Sequence, residues 1–590
     1  MFLRIVKAQG SGGTVHEYVR LVEAYRENGK NKQRVVYNLG RKDVLSAHLD
    51  SLVELLTGRR SERVQLGEVD VEAIGAWDWG PVLVARVLWR ELGLEDLLDH
   101  DRGRGARDGE RLAERALVLV ANRLCAPTSE HGLARWLETD FVCDRLGRRW
   151  TPEWRDDEER KASRRPRVRV EFRQLAQWYR TLDQLWARKE EIEKALFLQL
   201  RTLFSLKVDL VFYDLTSTYF EGHGPPMSAH GHSRDGKPRN RQVLVGVVMV
   251  DGWPIAHHVF RGNLRDSRTV PDVLKDLKQR FGLRRVVFVG DRGMVTTDNL
   301  ELLQTQEQGY IVGLQRRRRA DVIRYIERAT GEWIECPVGI TAREKVEPPK
   351  TKVQEVPSDQ PGVRVFVVQS DERLAYESAE REKAMARVHA QLESLEQRVT
   401  KGRLKAPEKI GAAAARVLAR HHGHRYYDWE YKEGAFRFFE HPVNLTREKA
   451  YEGKYLIQTT EKALGPVEVV QLYKELSEVE RAFENLKDVI ELRPIFHRKD
   501  ERVQAHIFVA ALAFLLHRAL EKKLKAAAID LSATEALQVL RTVRVVEFEI
   551  DGQRKRSVTR GSARAARILS ALGITDLIPP EPPPTGDARV

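Results

Sequence analysis

A chain of 590 residues is too long for one hydrophobic core, so three or four domains are expected. Its 42% hydrophobic and 32% charged residues, with no run of eighteen apolar positions, describe a soluble globular protein. Met1 to Gly10 lacks a signal-peptide core, so a cytoplasmic, bacterial location without a membrane partner is expected. Cys125, Cys143 and Cys336 are scattered and form no Cys-x-x-Cys pair, which leaves no basis for a zinc site or a disulfide framework. The 100 Lys+Arg against 86 Asp+Glu give +14, a field that favours a polyanion through counterion release.

Tyr18 to Gly40 reads as two strands, near Arg20–Tyr25 and Arg34–Leu39, turning at Asn28-Gly29. Lys30, Lys32, Arg34 and Arg41 make this ribbon basic, which fits either DNA contact or a solvated small sheet. Trp77 to Leu137 is read as helical, with Ser129 capping one helix, but no helix-turn-helix signature is present. Arg148 to Arg169 is a charged, proline-punctuated linker, and a helix from about Arg173 to Leu203 follows with Trp178, Leu182 and Leu185 inward. These segments divide as a β-ribbon (1–60), a helical DNA-binding subdomain (61–147), and a linker with helix (148–204).

From Val208 strands and helices alternate. Val208–Tyr213 is a short apolar run that ends at Asp214. Val243–Val250 and Ile255–Phe260 flank Asp251-Gly252 as a hairpin, and Thr269–Phe281 is an amphipathic helix entered after an Asp266/Ser267 cap. Arg285–Val289 is a fourth strand ending at Gly290-Asp291, and Tyr310–Leu314 a fifth. Three antiparallel strands, a crossover helix, then strands alternating with helices is the order of a ribonuclease-H-like α/β core with a mixed five-stranded sheet. That core occupies 205–315 and returns at 452–525; 316–451 is a β-plus-helical insertion. In it, Arg373 to Val399 is a long helix packed on Ala412–Leu418, and Arg425–Glu440 is β-like. A C-terminal region (526–578) and a disordered Pro-rich tail (579–590) complete the reading.

Leu472, Leu476, Val479, Phe483, Leu486 and Ile490 step by fours and threes, the stripe of an amphipathic helix. Tyr473, Glu480 and Lys487 align along its edge. Taken alone these are ordinary solvated charges; they gain meaning from Asp214 and Asp291, each at the C-terminal end of a parallel-type strand. Oxygen ligands in that order suit a hard divalent cation, and two ions about 3.5–4 Å apart promote in-line displacement at phosphorus.

These residues carry a resemblance. Tyr213-Asp-Leu-Thr-Ser-Thr-Tyr-Phe220, Val289-Gly-Asp-Arg-Gly-Met294, and Tyr473-x-x-Leu-x-x-x-Glu480-x-x-x-x-x-x-Lys487 with Arg502-Val-Gln-Ala-His506 resemble a DDE transposase of a bacterial insertion sequence. Gly231-His-Ser-Arg-Asp-Gly-Lys237, Phe260-Arg-Gly-Asn263 and the Tyr18–Arg41 ribbon extend the similarity over most of the chain. The resemblance implies that Asp214, Asp291 and Glu480 hold two Mg²⁺ ions, with Mn²⁺ able to substitute. It implies cut-and-paste transposition on double-stranded DNA, element ends and target alike, by a homodimer on paired ends. Tyr473 and Lys487 would line the DNA terminus. The family has Arg where this chain has Leu476; Lys474 or Arg481 are the candidates to replace it. Arg316 and Arg317 either track the backbone or form a solvated charge run. Trp333 either stacks an unpaired base or is a core aromatic. A DNA-binding derivative without activity and a nuclease without strand transfer are the alternatives to an active transposase.

Overall fold

The computed structural model describes residues 2–9, 15–27, 30–45, 63–66, 69–99, 106–152, 174–204, 210–283, 285–294, 296–314, 320–337, 350–476, 479, 483–485, 487, 490–493, 495–550 and 553–580. Most of the expected linker and of the Pro-rich tail therefore lie outside the described residues. The strands, in chain order, are β1 (Phe2–Gln9), β2 (Val15–Glu27), β3 (Lys30–Arg41), β4 (Arg63–Leu66), β5 (Val69–Asp78) and β6 (Leu210–Tyr219). There follow β7 (Gln242–Val250), β8 (Trp253–Arg261), β9 (Val287–Gly290), β10 (Gly309–Gly313), β11 (Ile334–Cys336) and β12 (Thr351–Val356). The last six are β13 (Arg364–Ser370), β14 (Tyr427–Lys432), β15 (Ala435–Glu440), β16 (Lys454–Thr459), β17 (Arg544–Ile550) and β18 (Gln553–Val558).

The chain divides into two compact units. One comprises Met1–Lys207, Leu215–Leu264 and Glu480–Val590; the other comprises Val208–Asp214 and Arg265–Val479. Strand β6 passes from the second into the first between Asp214 and Leu215.

The first unit opens on an antiparallel meander, β1-β2-β3, with Phe2 opposite Val22 and Tyr18 opposite Arg41. The sequence pattern gave two of these strands. It missed β1 because Ile5 and its neighbours stay largely exposed, so alternation marks no buried face. A second sheet has the order β18-β17-β5-β4. Here β5 occupies the start of the stretch expected to be helical, and the helix Gly80–Glu91 begins only after it. Trp79 and Gly80 both donate their amides to the Val543 carbonyl (2.9 and 3.0 Å), which ties this helix start to the C-terminal region. Helices Ala106–Cys125, Leu175–Ala187 and Asp500–Ala526 pack together, and Trp178, Leu182 and Leu185 point inward as expected. Asp500–Ala526 is the one described helix long and apolar enough to cross a membrane; 83% of its apolar window is buried in the protein, the condition of a core helix.

In the second unit the strand order is β11-β12-β13-β16-β10-β9-β6. Strands β6, β9 and β10 are parallel, and β16 runs antiparallel to both β10 and β13. The insertion thus contributes strands β11, β12 and β13 to this sheet. Beyond them, helices Asp371–Thr400 and Pro407–Arg420 close on a core that includes Val388, Leu392, Leu395, Ile410 and Ala414, with the hairpin β14-β15 against it.

Candidate active site

Strands β6 and β9 pair in parallel with Tyr213 opposite Gly290. One residue further along each chain stand Asp214 and Asp291, half-buried and exposed respectively. Neighbouring strands lie about 4.8 Å apart, so the residues that precede the two aspartates are neighbours across the sheet. The strand does not stop at Asp214, as the sequence suggested. It runs on to Tyr219 because Leu215 and the β-branched Thr216 and Thr218 are buried and strand-forming, while β9 ends at Gly290. Asp214 therefore sits where its neighbour strand gives out.

The surrounding turns are pinned by hydrogen bonds. Tyr213, fully buried, donates its hydroxyl to Thr269 Oγ1 (3.0 Å), and burial pushes its phenol pKa up. Thr269 donates in turn to the Asp266 carbonyl (2.7 Å). The expected Asp266/Ser267 cap is instead a single 3₁₀ turn, Asp266–Arg268, leading into helix Val270–Gln279. Buried Asn299 donates to the carbonyls of both Ser267 and Met294 (2.8 Å each), stapling that turn to the Asp291–Met294 loop. Within the loop, a Cβ on Gly293 would lie 3.1 Å from Asp266 Oδ2, so the chain and that carboxylate approach closely.

Glu480 and Arg481, like Arg316 and Arg317, lie outside the described residues. Around Glu480 the apolar stripe is buried at Leu476, Val479, Phe483 and Ile490. A helix covers Pro466–Lys474, the described residues Leu476, Val479, Phe483 and Glu484 are also α-helical, and Asn485 and Lys487 have π-helical geometry, a form common at functional sites. Leu476 packs inward, with 5% of its surface exposed, which accounts for an apolar residue there. Lys474 donates to Thr351 Oγ1 (2.8 Å). Tyr473 is half-buried, its ring 6.1 Å from that of Tyr455. Trp333 is half-buried against the cluster of Val322, Tyr325, Val365 and Val367.

In the first unit, Lys487 does not extend into solvent. Its ammonium is 2.7 Å from Oδ1 of Asp235, a carboxylate only 2% exposed that also accepts from Arg493. Asp235 lies in the Gly231–Lys237 loop, which packs against the Phe260–Asn263 motif so tightly that a Cβ on Gly231 would meet the Gly262 carbonyl at 2.1 Å. Two motifs far apart in sequence thus form one structural piece. Neither Asp235 nor Arg493 was singled out from sequence, because an aspartate in a polar, glycine-containing loop reads as a turn residue.

A further cluster was also unforeseen, although His506 stood in a quoted motif. Buried Glu130, His497 and His506 converge, with the carboxylate 3.5 and 3.6 Å from the two imidazoles. Arg123 completes it, 3.3 Å from His506 Nδ1 and bonded to the Glu491 carbonyl. Burial, then Arg123, pushes the His506 pKa down to about 4. Burial raises Glu130, but hydrogen bonds from His497 and His506 outweigh it and hold the carboxyl well below its ordinary range. One guanidinium and one carboxylate balance here, and two imidazoles are not the oxygen set that Mg²⁺ takes. The open, all-oxygen Asp214–Asp291 pair is the better match to a hard divalent cation.

Residues 209–516 match the family model described as the transposase DDE domain. Residues 3–68 match that of the IS1634 family transposase N-terminal domain. The chain belongs to the DDE transposases of insertion sequences, enzymes that cleave and transfer DNA. Membership implies a ribonuclease-H-like core, DNA as partner and dependence on a divalent metal. Among solved structures, a piggyBac transposase synaptic complex with hairpin DNA is similar at 10% identity and a TM-score of 0.32, over 78% of this chain and 79% of that one. No curated protein matches the chain.

Proposed function

We propose that this transposase works by cut-and-paste: it binds the terminal inverted repeats of its element as a homodimer, hydrolyses the ends and joins the freed 3′-hydroxyls to target DNA. The observation that supports the reading is the β6–β9 register, in which Tyr213 and Gly290, the residues just before Asp214 and Asp291, are paired. With Glu480 they form the metal-holding triad, and Mg²⁺ is the ion this oxygen set suits. The chemistry supplied by such a cation is Lewis-acid neutralisation of charge on the phosphodiester undergoing in-line displacement.

The chain's own groups do the rest. The Asn299 staple fixes the loop that follows Asp291, and the Tyr213–Thr269 bond ties the strand residue before Asp214 to the neighbouring turn. Lys487 and Tyr473 line the DNA terminus, while Arg316, Arg317 and Arg481 meet backbone phosphates. Trp333, only half-buried, is the aromatic offered to an unpaired base.

The test uses labelled duplexes carrying the sequences that border the gene, with Mg²⁺, Mn²⁺ or EDTA. The parent protein should nick a defined end only with metal and then capture a target. Asp214→Ala, Asp291→Ala and Glu480→Ala should each lose both steps by at least about 10²-fold, the order expected when a group essential to transition-state charge is removed. Cutting by any of the three at the parent rate would remove that residue from the triad.

A further inference from the structure

Resting on the reading of Lys487 as a phosphate contact, we infer that Asp235 is a positioning residue: its buried carboxylate holds the Lys487 ammonium and the Arg493 guanidinium in place for the DNA terminus. Lysine is a flexible four-carbon stem with large rotamer entropy, and fixing it before DNA arrives removes that cost from the bound state. The geometry suits the task. Asp235 Oδ1 takes a single ammonium proton, at 2.7 Å from Nζ, and leaves two N–H donors for a phosphate oxygen. The Lys487 side chain is 11% exposed and that of Arg493 23%, so both are restrained yet reachable.

The anchor is itself anchored. Arg234 donates its amide to Ser217 Oγ (3.0 Å), on the strand that also carries Asp214. Ser233 Oγ accepts from the amides of Asp235 and Lys237 (3.3 and 3.0 Å), and Gln242 donates to the His232 carbonyl (2.9 Å). Asp235 Oδ2 is buried without a partner among the described residues. A carboxylate kept dry with one oxygen unused is costly, and its retention fits a role in holding cations rather than in stabilising its loop.

The experiment is a double-mutant cycle on Asp235→Asn and Lys487→Ala in the full chain, reading cleavage of the gene-border duplex and the salt dependence of binding. Lys487→Ala should lower the slope of log affinity against log salt by about 0.9, one phosphate contact. Asp235→Asn should keep most of that slope but slow cleavage at least tenfold, and it should slow cleavage severalfold less once Lys487 is alanine, the remainder reflecting its hold on Arg493. Equal slowing by Asp235→Asn with and without Lys487 would overturn the positioning role. An unchanged slope in Lys487→Ala would instead overturn the phosphate reading. Should Asp235→Asn fail to fold, reductive methylation of the parent protein decides the pairing: Lys487 should be protected relative to Lys432, which is 78% exposed. Equal labelling of the two lysines would contradict it.

Discussion

The strand end just before Asp291 was legible in the sequence because a short apolar run precedes it, whereas a strand end at Asp214 was not found, because Leu215, Thr216 and Thr218 carry β6 on to Tyr219. His506 was not legible in the same way. It lies on a helix buried almost all round, and only folding brings Glu130, His497 and Arg123 against it. That setting has a pH signature. In the folded protein His506 titrates at about 4, and in the unfolded chain at its ordinary 6.5. Between those values the unfolded chain binds the extra proton, so stability is complete above about 6.5 and is lost as pH falls toward 4. His257, held down to about 4 by burial and by Lys189, acts with the same sign. Asp140, raised to about 6 by burial, opposes both over its own window, gaining stability as pH falls from 6 to its ordinary 3.8. The melting temperature should therefore drop from pH 7 to pH 4.5, and less steeply in His506→Gln. A variant that keeps the parent's slope would show that His506 is not the group responsible.

At the scale of elements, local chemistry placed the strands well and their partners poorly. The Gly231–Lys237 loop and the Phe260–Asn263 turn were each quoted as motifs, yet nothing local says that they touch. The contact is made by backbone, and glycine is what permits it. A Cβ on Gly231 would sit 2.1 Å from the Gly262 carbonyl, which is backbone and cannot retreat as a side chain would. Gly231→Ala should cost about the 1–3 kcal/mol typical of overpacking, read on a urea curve with unchanged slope. Because the loop carries Asp235, cleavage should fall as well. An alanine variant as stable as the parent would mean the two motifs are not locked together. The long helix Asp371–Thr400 is the contrasting case: its heptad stripe announced both the helix and its antiparallel partner, since both lie close in sequence.

At the scale of the whole chain, the least legible feature is the sheet β18-β17-β5-β4, which joins segments from opposite ends of the sequence. Periodicity identifies a strand by its own residues and carries no information about a neighbour hundreds of positions away. Removal of everything after Leu540 would delete β17 and β18, strip Trp79 and Gly80 of the Val543 carbonyl, and break the bond from Trp79 Nε1 to the Leu577 carbonyl (2.8 Å). It would also leave β5 with an unpaired edge, a template for aggregation. The truncated protein is expected to be insoluble or to melt well below the parent, as soluble yield and calorimetry would record. Melting at the parent temperature would show that the C-terminal hairpin is dispensable.

That same pairing sets a clock on synthesis. Val71 pairs with nearby Val64 on one side, but on the other it waits for Ile550, 479 residues later (550 − 71). At about 5–20 residues per second, a ribosome needs roughly 25–100 s to deliver it. For all of that interval β5 is outside the ribosome with one edge unmatched, and the first unit cannot close. A product that terminates before Arg544 lacks this pairing altogether. For an enzyme that cleaves and transfers DNA, the fold itself delays closure of the first unit until β17 and β18 have been made.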